Sequence, residues 1–113
     1  MDISNAVAAL GALAQESRLK VFRLLVRAGG VGMAAGDIAR ALDVPHNTMS
    51  SHLAILSRAS LVSARREGRS VIYAVDLEGT RALLSFLVED CCQGAPGCCT
   101  PAIESTLAAC CSR

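Results

Sequence analysis

The sequence predicts a mainly α-helical (α+β) fold of about five helices with one two-stranded β-hairpin. Three observations carry that expectation. Apolar residues recur at helical spacing through most of residues 3–90. A short break at Asp43-Val44-Pro45 separates two helical patterns in the middle of the chain. Two β-prone runs then flank the Gly-containing segment Arg65-Arg66-Glu67-Gly68-Arg69. With 113 residues, 52% of them apolar, the chain is the size of one small domain with a core. A core this small leaves apolar surface to spare, which predicts a homodimer.

The elements follow in order. Ile3, Val7, Leu10 and Leu13 recur at helical spacing and define a first amphipathic helix over residues 3–14. Ser17 is a candidate cap for a second helix. That helix carries Leu19, Val21, Phe22, Leu24, Leu25 and Val26 nearly all round it, the pattern of a buried central helix. Ala28-Gly29-Gly30 ends it, because glycine enters left-handed dihedrals freely. A short helix from Asp37 to Leu42 points Ile38, Ala39 and Leu42 inward, and the break follows. The next helix spans about His46 to Ala59, with Met49, Leu53 and Leu56 on one face. The β-prone runs are residues 61–64 and 70–75. A last apolar helix covers roughly residues 77–90, after which Gly94, Pro96, Gly97 and Pro101 oppose regular structure. Residues 1–90 thus read as one domain and residues 91–113 as a cysteine-rich tail.

Two helices joined by a tight break form a helix-turn-helix, and a basic hairpin directly after it is a wing. The second of those helices opens with His46, Asn47, Thr48, Ser50, Ser51 and His52, side chains that can hydrogen-bond base edges or phosphates in a major groove. Arg65, Arg66 and Arg69 of the hairpin would meet the flanking backbone or the minor groove. Each feature alone is also what a solvated surface shows, and His52 alone also suits helix–helix packing. Their order along the chain is what points to double-stranded DNA. Charge agrees: residues 1–45 sum to +1, residues 46–75 to +3 and residues 76–113 to −3. Aromatic content is 3%, too low for the stacking platforms that grip single strands.

The string Met49-Ser50-Ser51-His52-Leu53-Ala54-Ile55-Leu56, then Ala59-Ser60-Leu61-Val62 and Arg65-Arg66-Glu67-Gly68-Arg69, resembles the signature of the ArsR/SmtB family of metal- and metalloid-responsive repressors. The resemblance covers about residues 15–90. One departure is Ser60, where the family commonly ends the helix with Gly. The resemblance implies a winged helix-turn-helix homodimer joined through its first and last helices. It also implies binding to an imperfect palindromic operator and release when a ligand binds.

The six cysteines lie at 91, 92, 98, 99, 110 and 111, three adjacent pairs confined to the tail. A disulfide framework spreads its cysteines to close useful loops, so this clustering reads as thiolate chemistry in a reducing compartment. Trivalent arsenic and antimony take three thiolates in a pyramid, whereas zinc takes four ligands in a tetrahedron. Cys91 and Cys92 offer two thiolates at the end of the last helix. The Gln93-Gly94-Ala95-Pro96-Gly97 turn can return Cys98 as the third. Within the family, the usual arsenic motif sits on the helix before the recognition helix, but residues 34–39 here hold no cysteine. The Cys91-Cys92…Cys98 spacing instead resembles a minority of arsenic-responsive members with ligands after the last helix. Cys99 is an alternative ligand, or a fourth for zinc, cadmium or lead. A methylated arsenical needs only two thiolates. Cys110 and Cys111 are a spare or delivery pair, and oxidation of the cluster offers a redox switch.

A thiol reductase is the rival class. It needs a cysteine activated by a helix N-terminus or a cation, whereas Cys91 and Cys92 follow Glu89 and Asp90 at a helix end. The expectation is therefore a regulator rather than an enzyme, with no organic cofactor. The first residues lack a basic signal-peptide start, and no apolar run suffices to span a bilayer. The expected location is cytoplasmic, with no membrane partner.

Overall fold

The computed structural model describes residues 1–89. In chain order these form α1 (Ile3–Leu13), α2 (Glu16–Ala28), a single 3-10 turn (Gly29–Val31), β1 (Met33–Ala34), α3 (Ala35–Leu42), α4 (His46–Arg58), β2 (Val62–Glu67), β3 (Ser70–Val75) and α5 (Leu77–Val88). The five helices and the hairpin match the expected fold. Residues 90–113, including the expected cysteine-rich tail, lie outside the described residues.

The helix α1 is amphipathic with the opposite face inward to the one its large residues suggest. Ala6, Ala9 and Ala12 pack on the core, whereas Ile3, Val7 and Leu10 are 68%, 62% and 42% exposed. Small side chains let a helix approach the core closely, and the bulkier stripe is left outside. Asp2 caps α1, its carboxylate accepting from the Asn5 amide at 2.8 Å.

The cap of α2 is Gln15, whose Oε1 accepts from the Arg18 amide at 2.9 Å, so the helix starts ahead of the expected Ser17. Nor is α2 buried all round. Val21 and Leu25 are fully buried, but Phe22, Leu24 and Val26 are only half-buried and Leu19 is exposed. Gly29 ends α2 at φ 72°, as its sequence predicts.

Around the helix-turn-helix, Met49, Leu53 and Leu56 of α4 are completely buried with Ile38 of α3, as the spacing predicts. Both helices end in the same way. Asp43 stands at φ 54°, with its amide on Arg40 O and the Val44 amide on Ala39 O. Ser60 stands at φ 62°, with its amide on Ser57 O and the Leu61 amide on Leu56 O. These paired bonds are Schellman closures, which need a left-handed residue at their hinge. Ser60 therefore adopts the glycine conformation at a cost of about 1 kcal/mol. Ser60→Gly should raise unfolding stability by roughly 0.5 kcal/mol, the relief being offset partly by glycine's freer unfolded chain. A higher urea midpoint at unchanged slope would show it, and a lower one would contradict it.

The sheet has three strands in the order β1-β3-β2, one more than the expected hairpin. Register runs from Val62 opposite Val75 to Glu67 opposite Ser70, so Arg65, Arg66 and Glu67, expected in the loop, are strand. Gly68 and Arg69 alone close the hairpin, Gly68 supplying the positive φ of 62° that a two-residue loop requires. The extra strand β1 pairs Met33 with Tyr73 and Ala34 with Ile72. Two residues are too few to show an alternating pattern. The strand is made by Gly32, where a Cβ would collide with the Tyr73 carbonyl.

Asp76 caps α5 by accepting from the Gly79 amide at 3.1 Å, while its own amide donates to Leu61 O at 3.0 Å. The start of α5 is thereby fixed to the chain leaving α4. Gly79 lies flush against the Ser60 carbonyl, leaving no room for a Cβ.

Candidate nucleic-acid interface

The buried face of α4 fixes what the rest of the helix presents. With Met49, Leu53 and Leu56 inward, His46, Asn47, Thr48, Ser50 and Ser51 are all exposed. Pro45 caps the helix without a side-chain bond, and in the exposed first turn the Thr48 amide donates to Asn47 Oδ1 at 3.0 Å. Ser50 Oγ donates to His46 O at 3.2 Å and Ser51 Oγ to Asn47 O at 3.4 Å, which satisfies the hydroxyl protons while their lone pairs stay free to accept. Sequence reasoning passed over Arg58. It is exposed, makes no bond to a described residue, and lies eleven residues after Asn47 on the same outer stripe. That spacing is the signal that would have found it.

His52 is set apart from these five. It is half-buried, and its Nδ1 is sealed from solvent without a partner. Burial lowers its pKa, and the nearby Arg18 charge adds to the effect, so the ring is neutral at pH 7.

The three wing arginines also divide. Arg65 donates to Val31 O at 2.7 Å and Gly30 O at 3.3 Å and pairs with Glu67 at 2.6 Å, tying the wing to the 3-10 turn. Arg66 and Arg69 are exposed and bond to no described residue. Strand alternation explains the split, since Arg65 and Glu67 share one face and Arg66 takes the other. An open cleft of about 270 Å³ between the starts of α3 and α4 and the wing brings His46, Arg69 and Ser70 together beside Ala35 and Gly36.

These positions give an expected result. Replacing both Arg66 and Arg69 by Ala should flatten the log–log salt slope of duplex binding by about 1.8 for each protomer on the duplex. At about 0.15 M salt the affinity should fall roughly 30-fold per protomer engaged, the same slope carried from 1 M. An unchanged slope would remove the wing from the interface.

Among the described residues no group of three or more His, Cys, Asp or Glu is placed to hold a metal. Cys91, Cys92, Cys98 and Cys99 lie outside the described residues. No helix among the described residues is long and apolar enough to cross a membrane.

A helix-turn-helix whose second helix presents a polar outer face, followed by a basic hairpin, defines a winged-helix DNA-binding regulator. The helix-turn-helix domain family matches residues 13–64. The transcriptional activator HlyU of Vibrio cholerae is 30% identical over 90 residues, covering 80% of this chain and 81% of HlyU. A solved structure of HlyU aligns with a TM-score of 0.63 at 29% identity, covering 82% of this chain and 100% of that one. A homodimeric winged helix-turn-helix DNA-binding domain from Mycobacterium bovis, described as a possible ArsR-family regulator, aligns at 0.64 and 28% identity, covering 83% and 87%. A crystal structure described as a possible transcriptional regulator for arsenical resistance aligns at 0.61 and 26% identity, covering 70% and 79%. The chain belongs to the ArsR/SmtB family of winged-helix transcriptional regulators. It is a regulator and not an enzyme, as its sequence predicts.

Proposed function

We propose that this chain is a homodimeric repressor of a palindromic operator, released when trivalent arsenic or antimony is held by the thiolates of Cys91, Cys92 and Cys98. The observation that carries the reading is the position of α5. One end of this 12-residue helix is fixed to the chain leaving the recognition helix, through Asp76 on Leu61 and Gly79 on Ser60. The other end stops at Val88, three positions before the first cysteine of the cluster. A constraint on the thiols therefore acts on a rod of about 18 Å whose far end is fixed to the chain leaving the reading helix.

The dimer is formed by the outer stripe of α1, Ile3, Val7 and Leu10, with Leu87 of α5, which is 51% exposed. A two-fold dimer must hold its recognition helices about 34 Å apart, one turn of DNA. A rigid-body change in that spacing costs contacts on both half-sites, and coupling of about 1–3 kcal/mol corresponds to roughly 5- to 150-fold in affinity. Arsenous acid suits the donor set chemically: three S–As bonds replace three As–OH bonds and release three waters. The similar structure described as a possible regulator for arsenical resistance supports the choice of ligand.

Counting free thiols tests the ligand set. Arsenite added to the reduced protein should protect three of its six thiols per protomer. Protection should persist in Cys110→Ser and fall in Cys91→Ser, Cys92→Ser and Cys98→Ser. Protection by zinc or cadmium alone, or thiol loss in pairs under oxidant alone, would replace arsenic with another signal.

A further inference from the structure

The tip of the wing stands beyond the support of the sheet. Ala34 of β1, Ile72 of β3 and Arg65 of β2 form the last row in which three strands lie side by side. Past that row the hairpin is two-stranded, and residues 66–70 are all exposed. A two-stranded ribbon with so little packed against it is marginal in water. Arg66 and Arg69, the two arginines left open for DNA, both lie on this unsupported part. Their position is therefore set at its root.

Arg65 occupies that root with a three-point grip. Its Nε donates to Glu67 Oε2 at 2.6 Å, one terminal nitrogen to Val31 O at 2.7 Å and the other to Gly30 O at 3.3 Å. The two carbonyls lie 34 and 35 residues away in the chain, in the turn that follows α2 and leads into β1. The bonds thus join the outer edge strand to the segment that feeds the opposite edge. A planar guanidinium can hold two successive carbonyls and a carboxylate in one fixed geometry, which an ammonium on a flexible stem does not. Glu67 aims the fork and balances its charge, so the pair adds no net charge to the wing.

We propose that Arg65 is a positioning residue that latches the root of the wing to the turn after α2, presenting Arg66 and Arg69 to DNA without itself contacting a phosphate. The inference rests on the DNA-binding reading. It departs from the expectation that all three wing arginines meet the DNA backbone or the minor groove. Salt dependence separates the two roles. A phosphate contact releases counterions and adds about 0.9 to the log–log slope for each protomer. A latch whose charge is balanced within the protein adds nothing.

The test uses the full chain and a labelled duplex from the region upstream of its own coding sequence. Arg65→Gln combined with Glu67→Gln removes the latch and leaves the net charge unchanged. In the free double variant, the ¹⁵N heteronuclear NOE of the Gly68 and Arg69 amides should fall while those of α4 stay. Affinity should drop roughly tenfold per protomer engaged, less than the roughly 30-fold expected from removing Arg66 and Arg69, at an unchanged salt slope. Hydroxyl-radical footprinting should show protection lost at the flanks of the site and kept at its centre, a split that general unfolding would not give. A wing as rigid in the double variant as in the wild type, an unchanged affinity, or a slope flattened by about 0.9 per protomer would each overturn the proposal. Any of these beside tight wild-type binding sinks the latch alone. A wild type that binds no duplex would remove the DNA-binding reading along with it.

Discussion

A chain carrying Val7→Asp and Leu10→Asp should fold, run as a monomer, and bind a palindromic duplex at least about 100-fold more weakly. Both positions are exposed in the single chain, at 62% and 42%, and neither belongs to the core. What anchors α1 to its own domain is the opposite face, Ala6, Ala9 and Ala12. Two carboxylates on the outer stripe therefore leave the fold intact but cannot be buried unpaired between two copies. A monomer engages one half-site at a time and loses the avidity of the second. Sedimentation checks the mass, and anisotropy of the labelled duplex checks the affinity. A variant that remains dimeric, or a monomer that binds as tightly as the wild type, would refute the dimer face.

The second large effect is on stability. Gly79→Ala places a methyl group on the Ser60 carbonyl oxygen, and neither side can yield easily. Gly79 lies in the first turn of α5, its amide donating a hydrogen bond to the Asp76 carboxylate, and Ser60 is the left-handed hinge closing α4. Relief requires α5 to lift away or the Schellman closure to open. The expected loss is about 3 kcal/mol, the upper range for overpacking, although Ala is otherwise the better helix former. A lower urea midpoint checks it. Because the same contact joins α5 to the end of the reading helix, surviving folded protein should also bind the duplex less well. An unaltered midpoint would mean that Gly79 and Ser60 are not in the contact described.

Much of this was legible in the sequence. Met49, Leu53 and Leu56 are completely buried because their 3.6-residue spacing leaves no other face for α4. The Asp43-Val44-Pro45 break follows from a left-handed Asp43 and a proline that cannot extend α3. The face of α1 was not legible. Ile3, Val7 and Leu10 form the stronger apolar pattern, but that pattern reports burial without saying by what, and a partner chain satisfies it as well as a core does. The β1 strand depends on a two-residue pairing set by Gly32, too short to register as periodicity. Three wing arginines look alike in sequence, yet strand alternation ties Arg65 to the carbonyls of Gly30 and Val31. Likewise the sequence leaves His52 suited both to the groove and to helix–helix packing, and only the structure shows that its Nδ1 is sealed. The cysteine site rests on the spacing of Cys91, Cys92 and Cys98 and on the helix that leads to them.

The most direct test of the central claim is fluorescence anisotropy of a labelled duplex from the upstream region, titrated with arsenite. The reduced dimer should bind tightly and be released by arsenite, with affinity falling roughly 5- to 150-fold. Release should disappear in Cys91→Ser, Cys92→Ser and Cys98→Ser and persist in Cys110→Ser. Release that is unaffected by the first three substitutions, or a duplex complex indifferent to arsenite, would contradict it.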